Sequence, residues 1–110
     1  MGEANPFDHN AIDDIVHGRI RLGVMAYLSA VDSALFPELR DKVGATDGNL
    51  SAHLRKLEEA GYVRADKSFA NRKPQTRLSL TATGRNAWCA WLDHIERLAN
   101  AAANSGREES

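Results

Sequence analysis

The sequence predicts a mainly α, α+β chain: a three-helix core, a two-stranded antiparallel hairpin and a long C-terminal helix. Three observations predict it. Leu50, Leu54 and Leu57 recur at i, i+4 and i+7, a narrow apolar stripe along one helix. After Gly61 the pattern changes from a period of 3.6 to one of 2, first over residues 62–67 and again over 76–81. From Trp88 onward the spacing returns to threes and fours through Trp91, Ile95, Leu98 and Ala102.

Taken in order, residues 1–10 are polar, contain Pro6 and read as a flexible start. Ile12, Ile15 and Val16 support a turn or two of helix over 11–16, which Gly18 interrupts. A longer helix follows over about 19–30, with Leu22, Met25 and Leu28 facing the core beside Ile20, Val24 and Val31. Residues 31–35 read as a connector. Phe36 anchors the next helix, and Pro37 suits its first turn, where the missing N–H would have no intrahelical partner. That helix ends at Gly44. The Thr46 hydroxyl can accept a backbone N–H from the first turn of the following helix, and Gly61 can close it because φ > 0 carries no Cβ penalty there. Two short helices joined by a Gly-containing turn, over about 36–60, make a helix-turn-helix pattern. The hairpin spans 61–81, with a polar, basic tip over 68–75 that includes Asn71, Arg72, Lys73 and Pro74. Thr81 can cap the final helix, 82–102, and 103–110 reads as a disordered tail. The expectation is one domain over 11–102.

Composition narrows the function. The chain has 110 residues, 43 % hydrophobic and 26 % charged, the balance of an ordinary globular protein. It contains no apolar run of the roughly 20 residues that span a membrane, and no signal-peptide pattern at its start. A single cysteine, Cys89, fits a reducing compartment, so the expected location is cytoplasmic. The net charge of −1 hides a segregation: residues 1–50 carry −4, residues 51–85 carry +5 and residues 86–110 carry −2. Local potential over a Debye length of about 8–10 Å decides attraction to a polyanion, so the central segment matters more than the total.

With the leucine stripe turned inward, Gly48, Asn49, Ala52, Arg55 and Lys56 project the other way, with Ser51 and His53 on the flanks. Amide, hydroxyl and guanidinium groups beside small residues suit a surface that approaches base edges closely. A solvated helix face is the bland alternative, and the hairpin that follows weighs against it.

Here the sequence resembles a known family. The run 50–63, Leu-Ser-Ala-His-Leu-Arg-Lys-Leu-Glu-Glu-Ala-Gly-Tyr-Val, is similar to the recognition helix and first wing strand of MarR-like and ArsR-like winged-helix transcriptional regulators of prokaryotes. Residues 71–76 and 78–85 resemble their wing and the capped helix after it, and Arg19 to Leu28 their first core helix. The resemblance covers roughly residues 11–95, in matching order. It implies a regulator that binds double-stranded DNA, with the helix over 47–60 in the major groove. Asn49 and Arg55 would contact bases; Ser51, His53 and Lys56 would contact phosphates, with Thr46 and Ala52 on the same surface. Asp47 would accept bonds at the helix N-terminus or from cytosine N4. Arg72 and Lys73 would grip backbone or minor groove, supported by Lys67, Asn71, Gln75 and Arg77.

The resemblance further implies a homodimer, built on Ile12 and Ile15 of the first helix and Trp88, Trp91, Ile95 and Leu98 of the last. Repression by covering a promoter is the simplest mode for so small a chain. A small-molecule effector is compatible with the family, but no residue pattern indicates one and no dedicated effector domain is expected. The alternative function is a winged helix used as a protein-interaction module, since fold alone does not fix function; an apolar recognition face would favour it.

Other chemistry finds little support. The four histidines are scattered without ligand spacing, and the helix over 37–43 lacks the cysteines by which some ArsR-like proteins bind metal, so no metal or cofactor is expected. Cys89, flanked by tryptophans with only Arg85 as a nearby cation, reads as a buried, inert thiol. Asp13-Asp14 and Glu58-Glu59 are adjacent pairs that point in different directions on a helix, and no nucleophile or phosphate-loop motif appears, so no enzymatic activity is expected.

Overall fold

The computed structural model describes the backbone of residues 9–109 and the side chains of residues 18–105. In chain order the elements are α1 (His9–Ala30), β1 (Ala34–Leu35), α2 (Phe36–Val43), α3 (Asp47–Glu59), β2 (Val63–Ala70), β3 (Lys73–Leu80) and α4 (Ala82–Glu109). This is the expected winged helix, with three departures.

The first is α1. It runs unbroken through Gly18, so the interruption expected there does not occur, and His9 and Asn10 are helical rather than part of the flexible start. A lone glycine costs a helix only about 1 kcal/mol, and the burial of Val24, Met25 and Leu28 over the next turns outweighs it. Leu22, expected in the core, is 42 % exposed, because it lies at the open groove beside α4 and not in the core itself.

The second is a third strand. Residues 34–35, within the expected connector, pair with β3 as Ala34↔Leu78 and Leu35↔Arg77, giving a sheet of order β1-β3-β2. Two residues are too few to show periodicity. The pairing places the fully buried Ala34 against Leu78 in the core, which ties the start of α2 to the root of the wing.

The third is length. The strands β2 and β3 extend to Ala70 and from Lys73, so the tip is two residues, Asn71 and Arg72, rather than the eight-residue stretch expected. Both have positive φ, 53° and 67°, the requirement of a tight two-residue hairpin of the primed kind. At the other end, α4 continues through 103–109, where a disordered tail was expected.

The helix-turn-helix is closed as its residues dictate. Gly44 ends α2 in the left-handed region at φ 67°, and its N–H bonds the Arg40 carbonyl. The Thr46 hydroxyl accepts the Asn49 N–H at 3.2 Å, capping α3. At its far end, Gly61 N–H reaches the Glu58 carbonyl and Tyr62 N–H the Leu57 carbonyl, each at 2.9 Å, the paired bonds of a Schellman stop.

Val24, Leu28, Leu39, Leu50 and Leu78 are fully buried where α1, α2, α3 and the sheet meet. Thr81 joins the wing to α4: its N–H bonds the Tyr62 carbonyl at 3.0 Å, its hydroxyl donates to the Gly61 carbonyl, and it accepts the Gly84 N–H at 2.9 Å. Trp88 packs on the core, and beyond Trp91 α4 leaves the body. Its 28 residues span about 42 Å, and the molecule measures 63 × 30 × 26 Å. The radius of gyration, 17.1 Å, well exceeds the roughly 13 Å of a compact chain of this length.

Candidate nucleic-acid interface

The capped start of α3 carries the candidate contact surface. Asn49, Ser51, Ala52, Arg55 and Lys56 are exposed. Leu50, Leu54 and Leu57 lie at 7 % exposure or less and fix the rotation of the helix. Gly48 faces open space, with nothing within 4 Å of where a Cβ would stand.

His53 corrects the sequence reading. It is 5 % exposed and belongs to the inward stripe, not to the flank of the outward face. The reason is periodicity: 50, 53, 54 and 57 are i, i+3, i+4 and i+7, so position 53 completes the stripe that the leucines mark. A buried imidazole cannot serve as a phosphate contact.

Asp47 also has a definite role. Its carboxylate accepts the Arg40 Nη1 at 2.8 Å, and Arg40 Nε also meets Asp41 at 3.1 Å. The Asp47 bond, followed by that from Asp41, holds the Arg40 guanidinium more firmly protonated than usual. The pair locks the end of α2 to the start of α3, and its opposed charges spare approaching phosphate the full repulsion of an acid at that edge.

The wing supplies the second half. Ser51 and Arg55 of α3 line one groove with Lys67 and Thr76 of the hairpin. Asn71 and Arg72 form the turn itself, and Lys73 opens β3 opposite Ala70, so both cations sit exposed at the extremity. Gln75 is half-buried. Arg77 lies apart from this group: it stands in the middle of the central strand and donates through Nη1 to Ser33 Oγ at 2.8 Å, fastening the approach to β1. The acid nearest the tip on β2, Asp66, is held by Arg64 at 3.0 Å.

Of the residues expected to face a second copy, Trp88 and Trp91 are half-buried and, with Leu57 and Tyr62, line an apolar groove between α1 and α4. Ile95 and Leu98 are 40 % and 54 % exposed, and Leu92, which the sequence reading passed over, is 47 % exposed. Ile12 and Ile15 belong to α1, but their side chains lie outside the described residues. Cys89 is exposed, against the expectation of a buried thiol, because 89 falls on the solvent side of the helix that buries Trp88. Among the described residues no group of three or more His, Cys, Asp or Glu could hold a metal, and no helix is long and apolar enough to cross a membrane.

Sequence reasoning missed two residues at this site. Gly84 brings α4 against the wing root, where an added Cβ would stand 2.1 Å from the Tyr62 carbonyl oxygen. Phe69, 77 % exposed, stands opposite Pro74 one residue short of the tip pair. The period of two already visible in Val63 and Ala65 reaches Phe69 once the strand is extended, and is the signal that could have found it.

Comparison with known proteins agrees with this geometry. A family model described as a winged helix DNA-binding domain matches residues 20–99. An uncharacterized protein of Methanocaldococcus jannaschii is 34 % identical over 84 residues, 76 % of this chain and 91 % of that one. The solved structure of a transcriptional regulator homologue from Pyrococcus horikoshii is 28 % identical, with a TM-score of 0.70 over 83 % of this chain and 95 % of that one. A MarR-family regulator from Silicibacter pomeroyi shares the fold at 22 % identity, with a TM-score of 0.62 over 82 % of this chain and 61 % of its own. The match over residues 20–99 takes in the second half of α1, all of α2 and α3, the wing and the packed part of α4: this chain belongs to the winged helix DNA-binding domain family.

Proposed function

We propose that this chain is a dimeric, sequence-specific transcriptional repressor of double-stranded DNA. The observation that carries the reading is the shared groove in which Ser51 and Arg55 of α3 meet Lys67 of the wing. It makes helix and hairpin parts of one surface. Asn49, Ala52 and Lys56 extend that surface along the helix, and Arg72 and Lys73 extend it to the tip. In this reading the exposed amide of Asn49 and guanidinium of Arg55 read base edges, whereas Lys56, Arg72 and Lys73 neutralise phosphates and set register.

Dimerisation is supported by the exposed stripe of Leu92, Ile95 and Leu98 on the projecting half of α4. A single unit makes few base contacts; a two-fold pair doubles them over half-sites about one helical turn apart. Occupying promoter DNA then blocks transcription without any further domain.

The test is enrichment of random duplexes on the purified protein, with its mass in solution measured alongside. A near-palindrome bound by a species of twice the chain mass is the expected result. Binding should also weaken steeply between about 50 and 200 mM salt. Absence of any enriched sequence, together with salt-independent association with proteins, would refute the reading. Within the enriched site, Arg55→Ala should relax discrimination at one base pair by about 1–3 kcal/mol, while Lys73→Ala should weaken all sequences alike.

A further inference from the structure

We propose that Phe69 is an apolar wedge that the wing presses between base pairs from the minor groove, unstacking one step beside each half-site. The inference rests on the DNA-binding reading and adds to it a way of sensing sequence that uses no hydrogen bond.

Isolated exposed apolar residues are common, so exposure alone says little. Position says more. Residues alternate faces along a strand, so Val63, Ala65, Lys67 and Phe69 share one face of β2. Val63 is buried and Ala65 packs on the core. Lys67, the next on that face, lines the groove with Ser51 and Arg55. Phe69 follows them along the same face, beyond the end of the core, with Pro74 directly across the ladder. An aromatic ring and a proline thus project from the extremity of the hairpin on the side that faces the recognition helix.

Charge identifies the occupant. From residue 67 to 77 the chain holds Lys67, Arg72, Lys73 and Arg77 and not one Asp or Glu. A protein surface that buries Phe69 would have to accept three exposed cations around it, those at 67, 72 and 73; a duplex welcomes them as phosphate contacts on either side of the groove. The minor groove, about 6 Å wide, excludes a whole hairpin but admits side chains from its tip. Apolar wedges entering there partly unstack a step and bend the duplex towards the major groove.

The tip is also stiff enough for the task. Asn71 and Arg72 at φ 53° and 67° close the tightest hairpin loop, and β2 and β3 are paired residue for residue up to Ala70 and Lys73. Flexible pyrimidine–purine steps unstack most easily, so the wedge favours sites with such a step at the wing position.

The experiment uses the full chain and duplexes enriched from a random pool by the wild type, with a fluorescent adenine analogue placed at successive flanking positions. Its emission rises when the base is unstacked. Wild type is expected to raise emission at one flanking step per half-site. Phe69→Ala should abolish the rise and weaken binding about tenfold, with an unchanged melting temperature, since the ring contributes little to the fold. Phe69→Trp should keep the rise; Phe69→Lys should hold affinity through added charge without unstacking. Salt-dependent binding by wild type with the same emission and affinity in Phe69→Ala would overturn the wedge while leaving the DNA-binding reading intact. Loss of dimer mass in Phe69→Ala with unaltered emission would overturn it too, assigning the ring to a contact between copies. If the wild type enriches no duplex, the DNA-binding reading falls and the wedge falls with it.

Discussion

Gly84→Ala adds one methyl group to a helix, where alanine is normally the better residue. At an open site the change should stabilise by roughly 0.5–1 kcal/mol. Here the new Cβ would lie 2.1 Å from the Tyr62 carbonyl oxygen and 2.8 Å from its carbon. Both belong to backbone held by the Schellman stop of α3 and by the Thr81 N–H. Nothing flexible can yield, so α4 must retreat by roughly 1 Å to restore an ordinary contact. That movement stretches two bonds of Thr81, to the Tyr62 and Gly61 carbonyls, each worth about 1 kcal/mol, and loosens Trp88 on the core by about 1 kcal/mol more. Less the propensity gain, the net is about 2 kcal/mol of destabilisation. At about 2.1 cal/mol/K per residue, a chain of this length unfolds with an entropy near 0.23 kcal/mol/K, so Tm should fall by roughly 9 °C. The assay is thermal unfolding followed by circular dichroism at one fixed protein concentration, because the proposed dimer would make Tm concentration-dependent. Gly48→Ala is the control: the same methyl on a helix with nothing within 4 Å. It should melt at or slightly above wild type. A Gly84→Ala protein melting within 1–2 °C of wild type, on the precision such scans allow, would refute the close-approach argument.

Three further outcomes follow from the same geometry. Thr46→Ala removes the hydroxyl that accepts the Asn49 N–H, so it should cost about 1 kcal/mol, read as a lower urea midpoint with unchanged slope. Arg72→Gly relieves a non-glycine residue at φ 67° and should raise stability by about 1 kcal/mol while weakening DNA binding, and a variant that melts lower than wild type would contradict the turn. The Tyr27 hydroxyl donates to Glu38, and that bond, more than partial burial, raises the phenol above its ordinary 10.0. The stabilisation it provides is complete below pH 10 and is lost as pH rises through the raised folded value, so the advantage of wild type over Tyr27→Phe should vanish in strong alkali.

What the sequence by itself determined is whatever is written in a local period or a local cap. The stripe of Leu50, Leu54 and Leu57 is buried, Thr46 caps α3, and Gly44 and Gly61 take positive φ at the ends of α2 and α3. These depend on neighbours within one or two helical turns, so composition and spacing suffice. The outward face of Asn49, Ala52 and Arg55 was legible for the same reason, as the remainder of a clear stripe. His53 was misplaced because an ionisable side chain was assigned by its chemistry when its register already placed it inside.

Only the tertiary structure decided the rest. β1 is two residues long and exists because β3 offers it a partner more than forty positions away in sequence. The short wing turn at Asn71 and Arg72 is set by strand pairing over the whole ladder, which overrides the reluctance of an arginine to take positive φ. Gly84 reads in sequence as a weak point in a helix, and becomes necessary only when Tyr62 arrives 22 residues earlier in the chain to within contact of it. Phe69 is a strand residue whose meaning depends on where the core ends. In each case the deciding partner is distant in sequence, and contact across such separations leaves no local period to read.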